Sequence, residues 1–327
     1  MKNFTKKHEF FETMRLLISC LIALFTAASN AAPDNILSPD IRLVNVVRGY
    51  SDRQMFGNPL GIFYDSAKRE VYLADSGNHQ IGIFDSRGTT LWVFKHYVTD
   101  SRTGERSLGA PHSVVVTNDG EIIISDNQAD YLDVVDYRGN SLFRIEPSSY
   151  DDIVSFRAAA LALDNNGNLY IGTKVDKSEI IKLDPGYEFV MRFGEKGEAE
   201  QQFTSISSIL VARDGQIFVT DILADPVVKV FSSDGGFIRA FGRREENKTD
   251  FSYAAGITMI GEQIWVVDGL RQVVKCLTLD GQFVTMIGGF GVNPGDMNHP
   301  SAVASDGDSL LFVAERLGNR FQQFVIK

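Results

Sequence analysis

The sequence predicts an all-β fold, a six-bladed β-propeller whose last blade is closed by a strand from the N-terminal side. Three observations predict it: a repeat at nearly constant spacing, four short strand-like runs in each repeat, and a last repeat one strand short with a spare strand ahead of the first. The run Val71-Tyr72-Leu73-Ala74-Asp75 returns as Ile122-Ile123-Ile124-Ser125-Asp126, Leu169-Tyr170-Ile171-Gly172-Thr173 and Ile217-Phe218-Val219-Thr220-Asp221. It returns again as Ile264-Trp265-Val266-Val267-Asp268 and Leu311-Phe312-Val313-Ala314-Glu315. The closing residues lie 51, 47, 48, 47 and 47 positions apart, and four-stranded units of about 45 residues are how propeller blades are built.

Each element of the repeat has a local cause. Turn residues that tolerate positive φ precede the recurring run, as in Asn118-Asp119-Gly120, Asn166-Gly167, Asp214-Gly215 and Asp306-Gly307. An alternating strand such as Gln80-Ile81-Gly82-Ile83-Phe84 follows it. A second turn then leads to another apolar strand; Arg87-Gly88, Arg138-Gly139, Pro185-Gly186, Asp234-Gly235 and Asp280-Gly281 are those turns. The sixth unit ends at Lys327 without its outer strand, and Ile41–Val47 has the character to supply it, which would remove a free sheet edge.

Ahead of the repeats, Lys2, Lys6, Lys7 and Arg15 precede an apolar stretch from Leu16 to Ala28, and Ser29-Asn30-Ala31 offers small residues for signal peptidase. The sequence therefore predicts a signal peptide over 1–31, a propeller over 32–327, and a secreted or periplasmic protein. Thirteen apolar residues are too few to span a bilayer, and no comparable run follows. With Cys20 removed, Cys276 is the one cysteine left, so no intramolecular disulfide is expected. The net charge of −10 and the absence of a basic run argue against nucleic acid as a partner.

Asp75-Ser76-Gly77-Asn78-His79-Gln80-Ile81-Gly82-Ile83-Phe84 and Leu317-Gly318-Asn319-Arg320-Phe321-Gln322-Gln323-Phe324 resemble the NHL repeat. Phe56-Gly57-Asn58-Pro59-Leu60-Gly61 and Ala110-Pro111-His112-Ser113 resemble the openings of its blades. The resemblance covers 41–327 and implies the same six-bladed fold. It also implies a partner-binding platform, with RNA-binding members and a zinc lyase branch elsewhere in the family. That lyase places Pro-His pairs at the start of three blades, so that three imidazoles hold zinc. In this chain Pro111-His112 alone matches. Leu60, Ala159, Ser207, Ala255 and Ser301 take the equivalent positions, and His299, His79 and His96 fall elsewhere.

Asp75, Asp126, Asp221, Asp268 and Glu315 form a ring of acids that suggests a metal crown. They end the second strand of each blade, about 4.8 Å further from the axis than the innermost strand, too wide to converge on one ion. They are expected instead to accept backbone N–H groups of the loop that follows, with Thr173 doing the same more weakly. The candidate binding residues are His112, facing the channel mouth, and Arg102, Arg106, Tyr150 and Arg157 in two long loops, Lys95–Leu108 and Glu146–Arg157, on one face. Asp151 and Asp152 accompany them. No metal set and no cofactor motif is predicted. The function expected is a binding platform for a protein or cell-envelope ligand, with a metal-dependent lyase or hydrolase at the channel mouth as the alternative.

Overall fold

Short runs of Val, Ile, Phe and Tyr between Gly-containing turns fold into six antiparallel four-stranded sheets. The computed structural model describes residues 39–327 except 101, 151, 152, 154, 175–177 and 246. The signal peptide expected over 1–31 lies outside the described residues. In chain order the innermost strands are Pro59–Asp65, Pro111–Val116, Ala158–Leu163, Ile206–Val211, Ala254–Ile260 and Pro300–Ser305. Each pairs with a second strand, then a third, then an outer one, in simple up-and-down order. No helix among the described residues is long and apolar enough to cross a membrane.

The apolar side chains do not meet in one centre. Among the described residues they gather in six clusters between neighbouring sheets and a small seventh under a loop: Tyr72, Ile83 and Phe94 of blade one pack with Val114, Ile122 and Ile124 of blade two, for example. The same arrangement repeats around to blades six and one, where Phe312 and Phe321 meet Tyr64, Leu73 and Phe84. Because every blade has a neighbour on both faces, its second and third strands are buried almost throughout, which is why they read as continuous apolar runs.

Closure is by the N-terminal strand. Ile41–Val47 pairs antiparallel with Arg320–Ile326, from Ile41 opposite Ile326 to Val47 opposite Phe321. Asp40 and Lys327 exchange backbone hydrogen bonds of 3.0 and 2.9 Å. A second contact makes this strand equivalent to the other outer strands. In blade two Gly139 has φ of 84° and a side chain there would strike Phe94, from the outer strand of blade one. In blade one Gly88 has φ of 82° and a side chain would strike Val47. Glycine is needed at both turns for conformation and for space, and Val47 does for blade one what Phe94 does for blade two.

The topology gives two unlike faces. The lower face carries the tight turns between first and second, and between third and fourth, strands. The upper face carries the turns between second and third strands and the longer connections into each next blade.

Candidate functional site

Every innermost strand breaks register at its upper end, between Pro59 and Gly61, Pro111 and Ser113, Ala158 and Ala160, Ile206 and Ser208, Ala254 and Gly256, and Pro300 and Ala302. The extra residue of a bulge is unpaired and its side chain is re-aimed. These residues are Leu60, His112, Ala159, Ser207, Ala255 and Ser301, the six positions that the sequence places in register. All six line a central cavity of about 930 Å³. The residue after each second strand lines it too: Ser76, Asn127, Lys174, Ile222, Gly269 and Arg316. Upper-face groups such as Asn58, Ser205, Tyr253 and His299 line its mouth, and inner-strand residues as far as Leu163, Val211 and Ser305 line its length; no residue of the lower-face turns takes part. The lining extends beyond the innermost strands at the upper face and reaches their last residues at the lower.

Much of its polar surface is already used. Ser207 Oγ donates to Ala254 O at 2.6 Å and Ser301 Oγ to Pro59 O at 2.9 Å, each fastening its inner strand to the next. Two groups are differently placed. The Lys174 ammonium donates to His112 Nε2 at 3.0 Å, which puts the imidazole proton on Nδ1, an enclosed atom with no hydrogen-bond partner among the described residues. Burial, then the Lys174 charge, hold the His112 pKa down at about 3 against a pull from Asp126, so the ring is neutral. The Lys174 side chain reaches solvent through the channel, yet the surrounding wall desolvates its ammonium enough to lower its pKa to about 8. On the far side of the mouth, Arg316 Nε donates to Asn58 Oδ1 at 2.9 Å.

The ring of acids lies outside this lining and serves the fold. Asp75 accepts from Gly57 N–H at 2.7 Å, Tyr50 Oη–H at 3.0 Å and Asn78 Nδ2–H at 2.8 Å. Asp221 accepts from Thr204 and Ser205 N–H, Asp268 from Ser252 and Tyr253 N–H, and Glu315 from Asn298 N–H. These donors precede the innermost strand, whereas the expectation was the loop that follows the acid. The following loop contributes as well at Asp126, Asp221 and Asp268, through Gln128, Leu223 and Arg271 N–H. Thr173 does accept a backbone N–H of the loop that follows, from Glu179 at 3.1 Å, and its hydroxyl lies 3.3 Å from Glu179 O.

The two long loops differ in kind. Lys95–Leu108 forms a hairpin, Tyr97–Thr99 with Arg106–Leu108, held down by Val98 against Ala129 and Tyr131. Arg102 sits at its exposed tip, and the Arg106 guanidinium lies 4.3 Å over the Tyr97 ring. Glu146–Arg157 turns inward: Ile153 and Phe156 are buried between blades two and three, and Tyr150 packs beside Phe156. The Tyr150 hydroxyl donates to Tyr187 O at 2.7 Å, and its pKa is pushed up to about 12 by burial. Tyr150 is thus committed to packing and not offered at a loop tip. Arg157 is exposed while its carbonyl accepts from Lys174 N–H at 3.2 Å. Asp151 and Asp152 lie outside the described residues. Cys276 is fully buried, with its thiol pushed up to about 12 by burial.

Three imidazoles do not meet. His79 Nδ1 lies 2.6 Å from Gly109 O, His96 is buried between Asp126 and Asp133, and His299 is in the left-handed region ahead of Pro300. No group of three His, Cys, Asp or Glu among the described residues is arranged to hold a metal ion. His112 Nε2 faces an ammonium, which would repel a cation. These residues do not fit the zinc site of the lyase branch. Lys174 was not singled out from the sequence, although it follows the one ring position without an acid, Thr173.

No protein-family model matches the chain. A curated relative, a probable peptidyl-alpha-hydroxyglycine alpha-amidating lyase of Caenorhabditis elegans, is 26% identical over 239 residues, covering 71% of this chain. The chain spans 58% of that relative's length. Among solved structures, a Bacteroides thetaiotaomicron protein of unknown function superposes with a TM-score of 0.64 at 14% identity, over 88% of this chain and 76% of its own. The virginiamycin B lyase of Staphylococcus aureus superposes with a TM-score of 0.56 at 12% identity, over 88% and 99%. At such identities the structures attest the propeller fold alone.

Proposed function

We propose that this chain is an exported NHL-type propeller that works as a binding platform from its upper face, holding a small ligand in the central cavity. One observation carries the reading: a cavity of about 930 Å³ whose lining draws on the bulged residue and the post-strand residue of all six blades and on none of the lower-face turns. Ligand pockets are typically of this size, partly apolar, with a few polar groups at fixed places. The exposed Arg102 at the hairpin tip stands on the same face, so a larger protein or envelope partner that delivers the ligand would meet it first. A lyase working in the same cavity is the second reading, favoured by the printed name of the nematode relative.

Native mass spectrometry separates the two. The purified protein is incubated with the small-molecule fraction of an envelope extract, beside an Ala255→Trp variant whose indole fills the channel. The expected spectrum shows one adduct per chain on the native protein, absent from the variant, and no bound zinc. An adduct of equal intensity on the blocked variant overturns the cavity reading. A mass increment of one zinc, lost on His112→Ala and required for the adduct, would transfer the case to the lyase.

A further inference from the structure

The cavity is lined by cationic and not by acidic side chains, in a protein that is acidic as a whole. Acidic side chains outnumber basic ones 42 to 32 over the chain, yet the lining contains no Asp or Glu and two permanent or near-permanent cations, Lys174 and Arg316. The nearest acids cannot offset them fully. Asp126 is bonded to His96 at 2.9 Å, Asp221 and Asp268 are paired with Lys229 and Lys275, and Glu315 with Arg320; Asp75, two blades from Lys174, is held by the neutral donors Tyr50, Gly57, Asn78 and Gln80. Blade three has no ring acid at all, because Thr173 stands there, and Lys174 is the next residue. Its neighbour Glu179 faces Arg192 at 4.0 Å. Lys174 has no carboxylate partner among the described residues, and its one described side-chain contact, His112 Nε2, is neutral and leaves two ammonium N–H groups over.

Opposite Lys174 stand Arg316 and Asn58, and apolar groups flank them. Ala255 and Leu270 of blade five, with Leu60 of blade one, line the cavity, and Leu270 is 57% exposed. A cation held on one side of a partly desolvated cavity, with no carboxylate partner among the described residues, attracts an anion more strongly than a surface lysine does.

Building on the binding reading above, we propose that the cavity takes an amphipathic monoanion, its charged group on Lys174 beside His112 and its apolar body toward Leu60, Ala255 and Leu270. The shared chemistry is a sulfonate, carboxylate or phosphate ester on an apolar skeleton.

A matched pair of fluorescent probes tests it: 8-anilinonaphthalene-1-sulfonate and the same skeleton without the sulfonate, N-phenyl-1-naphthylamine. Titration of the native protein should give one sulfonate probe per chain, bound at least about tenfold tighter than the neutral probe, the size of one charge-assisted contact. Lys174→Met should remove that margin and leave the neutral probe unchanged, Lys174→Arg should keep it within about threefold, and Lys248→Met on an exposed loop should change nothing. Ala255→Trp, with Leu60→Trp as a second block, should abolish both probes. If the blocks abolish both but the two probes bind equally, or Lys174→Met leaves the sulfonate unaffected, the anion proposal is wrong while the cavity reading stands. If neither probe binds, or the blocks do not matter, both are wrong.

Discussion

Blades four to six and blades one to three solve the same problem in different ways. In every blade but the third, a carboxylate is buried at the upper end of the second strand and must be compensated. Blades four, five and six use one plan. The loops leading into them each carry a parallel bridge, Lys196 with Phe203, Arg244 with Phe251 and Phe290 with Met297. A buried cation from the third strand then joins the acid to a carbonyl of that loop. Lys229 contacts Asp221 and Gln202 O, Lys275 contacts Asp268 at 2.8 Å and Asp250 O, and Arg320 contacts Glu315 at 2.6 Å and Asp296 O. Blades one to three share no plan. Where Lys229 and Lys275 stand, blade one has Gly82, and a side chain there would strike Tyr50, whose hydroxyl reaches in to Asp75 instead. Blade two has Asp133, a charge of the opposite sign, and His96 sits between it and Asp126. Blade three has Ile181 there, opposite Ile171, and with Thr173 in place of an acid it needs no cation. The irregular half is also where His112 and Lys174 meet. The uniform half repeats one way of compensating its acids, and the proposed site lies in the half that departs from it.

The difference can be broken most severely at Lys275. Lys275→Met leaves Asp268 buried with only backbone and Arg271 contacts, at a cost of about 3–5 kcal/mol in denaturant unfolding. Tyr50→Phe in blade one removes one neutral donor from Asp75, which keeps Gly57, Asn78 and Gln80, and should cost about 1–3 kcal/mol. Equal losses would mean that the two halves compensate their acids alike.

A pH titration sharpens the same contrast. Burial alone would lower the His96 pKa, but hydrogen bonds and charges from Asp126 and Asp133 outweigh it and raise the pKa. Stability from His96 is therefore complete below the usual histidine value of about 6.5 and lost as pH rises through the higher folded value. Burial would raise Asp126, but His96 and backbone N–H groups hold it below the usual carboxylate range. Its share is present above about 3.9 and lost as pH falls through the lower folded value. The unfolding free energy should decline on the alkaline side in the native protein, and His96→Asn should abolish that decline. An unchanged alkaline limb in the variant would assign the effect to another group.

Much of the ring was legible because it is repeated. The acids that end each second strand set the blade count, and Pro111-His112 set the register of the six bulged positions. The buried cations were legible in principle: Lys229 and Lys275 sit inside runs of Val and Phe, where a charge requires a partner. Lys174 was not, since it follows the one unit whose acid is missing and the repeat offers no template for it. Tyr150 looked exposed because Ser148, Ser149, Asp151 and Asp152 surround it, while Ile153 and Phe156, which draw the loop inward, are spaced irregularly. Irregular contacts depend on what the third dimension brings near, as with Tyr50 under Gly82, and no periodicity announces them.

On the proposed function, the regular half is kept for stability and the irregular channel mouth for binding. Urea unfolding of a His112→Ala/Lys174→Met double variant beside Lys229→Met tests it most directly. Removing a neutral imidazole with an enclosed, unpartnered Nδ1 together with the ammonium that faces it should change the unfolding free energy by less than about 1 kcal/mol or raise it, as expected where a site is held at the expense of stability. Lys229→Met, by contrast, should cost about 3–5 kcal/mol. A double variant that loses as much as Lys229→Met would place His112 and Lys174 among the supports of the ring and contradict the division.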